Sequence, residues 1–287
     1  MTLTSQSHER AETNSARIPP SRITVARLRR GLTKAELAAN LDIAPATLSR
    51  WENEGPPPSN TESILERLET ALGFSAGYFL SPELEVPSMD STLFRAGSRA
   101  TLRQKSVAVA SGANARTLLA WLRRNFNFPE PNLPDLSGFT PAEAARHART
   151  IWQLGDKPVP NSVQLAESLG IAVMGLPPTA SAVDAFSMRD GEQPFIFLAR
   201  RRTPEGARFD LAHELGHLLL HSSDDPRSGK REEDEANQFA ADFLIPPSIV
   251  HANLRLHASL EDILRLKSAL KVSAMAMLRA AYHHGKL

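Results

Sequence analysis

From Ser21 onward, apolar residues recur at helical spacing in short blocks separated by tight breaks. Ile23, Val25, Leu28 and Leu32 mark a first helix. Thr33 and Glu36 carry a capping-box signature, and Ala35, Leu37, Ala38 and Leu41 give the inner face of a short second helix. Asp42-Ile43-Ala44 reads as a tight turn, and Pro45 suits the first turn of a third helix with Leu48 and Trp51 facing inward. Gly55-Pro56-Pro57-Pro58 interrupts the block, and a fourth helix is expected at Thr61–Leu72. Further helical stretches are expected over about 101–126, 142–154 and 162–169, the last stopped by Gly170. The character then changes. Ile171–Leu176 is β-like, and Val183–Met188 and Pro194–Leu198 flank an Asp190-Gly191 hairpin signal. Helical periodicity returns over about 204–221, 231–244, 260–270 and 274–283, with Pro246-Pro247 as a stop.

The expected architecture is mainly α. A four- or five-helix domain spans 21–83, a helical connector 84–160, and an α+β domain with one small β-sheet 161–287. Residues 1–20 read as a disordered tail and Pro82–Ser91 as a linker. With 41% hydrophobic and 23% charged residues, each domain can build a core. The absence of cysteine excludes disulfides, thiol catalysis, cysteine zinc fingers and iron–sulfur clusters, so a metal site must use His, Asp and Glu. No apolar run approaches a membrane span, and the N-terminus lacks a signal-peptide core; the expected compartment is the cytoplasm.

The N-terminal block has the pattern of a helix-turn-helix, with Ala46, Thr47, Ser49 and Arg50 left exposed on its third helix. Residues 21–57 hold six basic groups (Arg22, Arg27, Arg29, Arg30, Lys34, Arg50) and four acidic ones, a net of +2 in a chain whose 33 Lys and Arg nearly balance 32 Asp and Glu. A nucleic-acid footprint must therefore be local. The run RLRRGLTKAELAANLDIAPATLSRWENE resembles the XRE, lambda-repressor-like helix-turn-helix family. The resemblance implies DNA as a partner. Lys34 would contact a phosphate, Pro45, Ala46 and Arg50 would face bases, and Thr47 and Ser49 would touch backbone or base edges. Ala and Pro stand where Gln or Asn is often found, which argues for weak sequence selectivity.

The second constellation is RFDLAHELGHLLLH. His213 and His217 are four residues apart, so on a helix they share one face, about 6 Å apart along the axis, and both can reach one Zn²⁺. Glu214 points beside them, where it can take a proton from water. His221 lies on the same face but about 12 Å along the axis from His213, too far to share the ion. A third ligand is expected from the helix beginning KREEDEANQFAADFLIP. Its inner face runs through Ala236, Phe239, Ala240 and Phe243, and one turn back both Glu232 and Glu233 project near the core face, with Glu235 further off it. Arg208, Tyr282 and His283 are candidate stabilisers of a developing oxyanion, and an edge of the 183–198 hairpin can align an extended substrate.

RFDLAHELGHLLLH followed by EDEANQFAADFLIP resembles the ImmA/IrrE family of zinc metallo-endopeptidases, a zincin-like fold. The first Glu of the family's E-x-x-A-N/D-x-F-A pattern is Glu233 here, so the resemblance implies His213, His217 and Glu233 as zinc ligands and Glu214 as the catalytic base. It also implies a protein substrate, a repressor-type regulator in stress or mobile-element responses; the lack of a long apolar run leads to the expectation of no membrane partner. A homodimer is among the expected assemblies. The alternative is a transcription regulator whose zincin-like domain senses or docks without cutting.

Overall fold

The computed structural model describes residues 17–85, 101–180, 183–200, 203–221 and 229–287. Residues 1–16 of the expected tail and 86–91 of the expected linker lie outside them. The chain divides into two compact units, 1–85 and 86–287.

The first unit holds α1 (Pro20–Arg29), α2 (Lys34–Asn40), α3 (Pro45–Glu54), α4 (Thr61–Leu72) and a single turn, α5 (Ala76–Phe79). Thr33 and Glu36 close the capping box of α2, and proline occupies the first turn of α1 and of α3. Ile23, Ala26, Leu37, Leu48, Trp51, Leu68 and Phe79 form its core. Ile18 is also in that core, and Arg17 donates to the Glu54 carbonyl. The expected tail is therefore too long: residues 17–20 belong to the fold, because Ile18 has apolar surface to bury. Arg27 lies buried between α1 and α3 and donates through Nε and Nη2 to the two carboxylate oxygens of Glu52 at 2.6 and 3.1 Å.

The second unit begins with α6 (Leu102–Asn125), α7 (Pro141–Ile151) and α8 (Ser162–Ser168). Gly170 ends α8 at φ +78°, where the chain at Glu130 and Pro131 passes so close that a Cβ would meet it at 2.5 Å. The sheet follows: β1 (Ala172–Gly175), β2 (Ala185–Asp190) and β3 (Gln193–Leu198), in the order β1-β3-β2, with β1 parallel and β2 antiparallel to β3. Then come α9 (Pro204–Leu220), α10 (Lys230–Leu244), α11 (Pro247–Asn253), α12 (Leu260–Leu270) and α13 (Ala274–His283).

Side chains alternate across β3, as the strand period of two requires. Phe195 and Phe197 pack with Phe186, Met188 and the Val107, Ala108 and Leu119 face of α6. Ile196 faces the other way, into a core with Leu211 and Leu215 of α9, Ala144 and Ala148 of α7, and Phe239 and Phe243 of α10. The stretch expected to connect two domains thus supplies α6 and α7 to the core of this unit. Buried Arg149 of α7 donates to the carbonyls of Phe243, Gly155 and Lys157, which ties α7 to the end of α10.

Candidate metal centre

Helix α9 is capped by Thr203, whose side chain accepts from the Gly206 amide, and carries Pro204 in its first turn. Its second half is buried on nearly every side, from Leu211 to Leu220. Polar groups there are costly to desolvate unless they are partnered. His213 and His217 lie on the side facing α10, with Nε2 atoms 3.0 Å apart. Glu233 enters from the first turn of α10, with carboxylate oxygens 3.4 Å from His213 Nε2 and 3.5 Å from His217 Nε2. Among the described residues, these three form a group whose ligand atoms all lie within 4.8 Å of one another.

Those separations test the donor set against an ion. Four ligands at 2.0–2.1 Å in a tetrahedron have edges of about 3.3–3.4 Å. The Nε2–Nε2 separation of 3.0 Å is a few tenths of an ångström short of that edge, and the 3.4 and 3.5 Å separations fit it but belong to different oxygens of Glu233, so a small side-chain adjustment would seat one ion. Glu233 Oε1 is also buried with no hydrogen-bond partner among the described residues, as expected of an atom shaped for a cation. The donors, two imidazoles and a carboxylate without sulfur, suit a catalytic zinc with an open position.

Helix α10 can supply Glu233 because the two helices approach closely at Gly216, whose missing side chain lies against Ala236 and Phe239. The neighbouring acids of this turn diverge. Glu232 is buried outside the ligand group. Glu235 accepts from Arg231 Nε at 2.8 Å and lies 3.0 Å from His221 Nε2.

Glu214 points to β2, where Ser187 Oγ donates to its Oε2 at 2.7 Å. Burial pushes the Glu214 carboxyl up to about 7 and the nearby Glu233 charge adds to that, while His213 and the Ser187 hydrogen bond pull the other way. Glu233 moves oppositely. Burial would raise it, but the His213 and His217 rings that face it prevail and hold it at about 2. His213 is raised: burial opposes its charge, yet Glu233 and Glu214 outweigh that. One carboxylate is thus kept ionised toward the histidines, while its neighbour is poised to exchange a proton near neutrality.

Residues 166–282 match the family model of the IrrE N-terminal-like domain, a peptidase family, and residues 25–79 match a helix-turn-helix family model. The chain joins an XRE-type helix-turn-helix domain to an IrrE-like domain. No curated protein matches the sequence. It is a regulator-type architecture with a metallopeptidase-like domain.

In the helix-turn-helix domain, Pro45, Ala46 and Arg50 are exposed and Thr47 and Ser49 half-buried on α3. Lys34 is partly exposed and lies 3.5 Å from Glu52. The net charge overstated the basic surface. Arg22 and Arg27 are buried, and Arg30 donates to the carbonyls of Leu72 and Gly73. Among the described residues no helix is long and apolar enough to cross a membrane. Of the suggested oxyanion stabilisers, Arg208 donates to the Val159 carbonyl, while Tyr282 and His283 lie on α13, with His283 against His284. Sequence reasoning missed Ser187, Asn237 (whose Oδ1 lies 3.1 Å from His213 Nδ1) and the His221–Glu235 pair. A polar residue inside an apolar strand was the one local signal, at Ser187.

Proposed function

We propose that this protein is a DNA-binding regulatory zinc metallo-endopeptidase that hydrolyses a peptide bond in a repressor-type protein substrate in the cytoplasm. The observation that carries the reading is Glu214. A buried carboxylate held by Ser187, one residue from a three-donor metal group, is costly in a module that only docks or senses and is required in one that moves a proton. His213, His217 and Glu233 would hold Zn²⁺. When bound, the ion supplies a Lewis acid that polarises the scissile carbonyl and activates water. Ser187 fixes Oε2 of Glu214, which leaves Oε1 to accept the proton of the attacking water and deliver it to the leaving amine. On α3, Arg50 would reach a base edge or phosphate, with Pro45, Ala46, Thr47 and Ser49 along the same surface and Lys34 at the start of α2 on a phosphate.

Two variants separate the roles. Glu233→Gln is expected to lose zinc and hydrolysis together, since an amide oxygen is the poorer zinc ligand. Glu214→Gln is expected to keep stoichiometric zinc and lose hydrolysis of a candidate repressor. Undiminished cleavage by Glu214→Gln would overturn the reading; zinc retained by Glu233→Gln would displace the third ligand.

A further inference from the structure

His213 and His217 of α9 and His221 at its C-cap follow one another at four-residue intervals, and the third is no part of the metal group. The His217 ring presents Nε2 to His213 and Glu233. Its other nitrogen, Nδ1, lies 3.1 Å from Nδ1 of His221. Two ring nitrogens at that distance need one hydrogen between them, and the geometry around His221 decides which ring owns it.

His221 Nε2 lies 3.0 Å from Glu235 Oε2, while the other oxygen of Glu235 accepts from Arg231 Nε at 2.8 Å. Both oxygens of Glu235 thus face donors, one at Arg231 and one at His221. An ionised carboxylate can only accept. Donation from His221 to that carboxylate places its ring hydrogen on Nε2, which leaves Nδ1 to accept. His217 must then donate from Nδ1, and a neutral imidazole has one N–H only. With an ion between them, the Nε2 atoms of His213 and His217 would need no shared hydrogen, and the lone pair of His217 Nε2 is left for the metal. His213 reaches the same state more directly, with Nδ1 directed at Asn237 Oδ1.

We infer that His221 and Glu235 are positioning residues, a carboxylate–histidine–histidine chain that locks His217 in the tautomer able to bind the metal through Nε2. The inference rests on the zinc reading above and extends it to two side chains that touch neither metal nor substrate. Without Glu235, His221 is free to carry its hydrogen on Nδ1. Two donors then face each other unless His217 moves its own hydrogen to Nε2, and that tautomer cannot ligate. Outer partners of this kind also raise ligand basicity, and their loss typically weakens metal binding 10–100-fold. Helix α10 thereby supplies the Glu233 ligand, the Asn237 partner of His213 and, through His221, the partner of His217.

The test uses the full chain. In the zinc-loaded protein, nitrogen-15 spectra of the histidine rings report tautomers directly. The parent is expected to show His217 protonated on Nδ1 and His221 on Nε2. Glu235→Gln is expected to give a mixture of tautomers at His221, since an amide can donate as well as accept. Zinc dissociation constants by competition with a chromophoric chelator are expected to rise 10–100-fold in His221→Ala and Glu235→Gln. Thermal unfolding of the metal-free variants separates this from lost structure, and half-exposed Glu235 keeps the test open if His221→Ala does not fold. Affinities within twofold of the parent in both variants, or a parent His217 protonated on Nε2, would overturn the inference alone. A parent that takes up no zinc would overturn the zinc reading and the inference together, without reference to the variants. Neither readout depends on proteolysis.

Discussion

Gly216 sits in a regular stretch of α9 and not at a turn, so its lack of a side chain must serve packing. A Cβ built there meets Phe239 Cδ1 at 3.0 Å, Phe239 Cβ at 3.3 Å and the Ala236 Cα at 3.3 Å. Carbon atoms rest comfortably at about 3.5–4.0 Å, so the contacts are short by a few tenths of an ångström. Two of the three belong to atoms that a rotamer change cannot move. Phe239 is fully buried and stacked on Phe243, with centroids 5.5 Å apart. Gly216→Ala must therefore push α10 away from α9. Overpacking of this kind costs about 1–3 kcal/mol, and the helical preference of alanine returns about 0.8–1 kcal/mol. The net expectation is a loss of about 1 kcal/mol, or about 2–4 °C in the unfolding midpoint of a unit this size. The effect on zinc should be larger, because Glu233 rides on α10 and a metal site tolerates only about 0.5 Å of misplacement. Chelator competition is expected to show about tenfold weaker zinc binding, with Gly216→Val weaker still. A raised midpoint with unchanged zinc affinity would refute the close-packing argument.

Glu214 and Glu233 should give the metal-free protein opposite pH dependences. Glu214 in the fold titrates at about 7 against an ordinary 4.5, so as pH rises from 4.5 to 7 the unfolded chain has already released a proton that the folded one keeps, and stability falls; Glu214→Gln should unfold at a higher temperature than the parent at pH 8, with no difference below pH 4.5. Glu233, held at about 2, contributes stability above pH 4.5 that is lost as pH falls toward 2, and acid titration of Glu233→Gln by circular dichroism should lack that component. In the helix-turn-helix domain, Glu52→Ala leaves the buried Arg27 guanidinium unpaired and should cost about 3–5 kcal/mol by urea unfolding; a cost below 1 kcal/mol would contradict the buried pair. Arg50→Ala should weaken operator binding by about 1–3 kcal/mol in a mobility-shift titration while leaving peptide hydrolysis intact, and unchanged affinity would remove Arg50 from the interface.

Local spacing determined the elements and half of the metal group. A four-residue interval on a helix places His213 and His217 on one face whatever the rest of the chain does, and capping residues and the Asp190-Gly191 turn signal marked most helices and the hairpin correctly. Where a local signal had two meanings, the reading was incomplete: Pro246-Pro247 follows the end of α10 at Leu244 as expected, yet Pro247 also opens α11, because the first helical position needs no amide hydrogen. The inner face of α10 drew Glu232 and Glu233 equally, and only the approach of two helices at Gly216 sets Glu233 against the histidines and Glu232 apart from them. Ser187 meets Glu214 across 27 residues, and Asn237 meets His213 across 24. The basic residues of the first unit count alike in the sequence, although burial removes Arg22 and Arg27 from any surface. Helical and strand periods are properties of neighbours in the chain, whereas ligation, desolvation and hydrogen-bond partnership depend on which distant faces meet, and only the packed structure determines that.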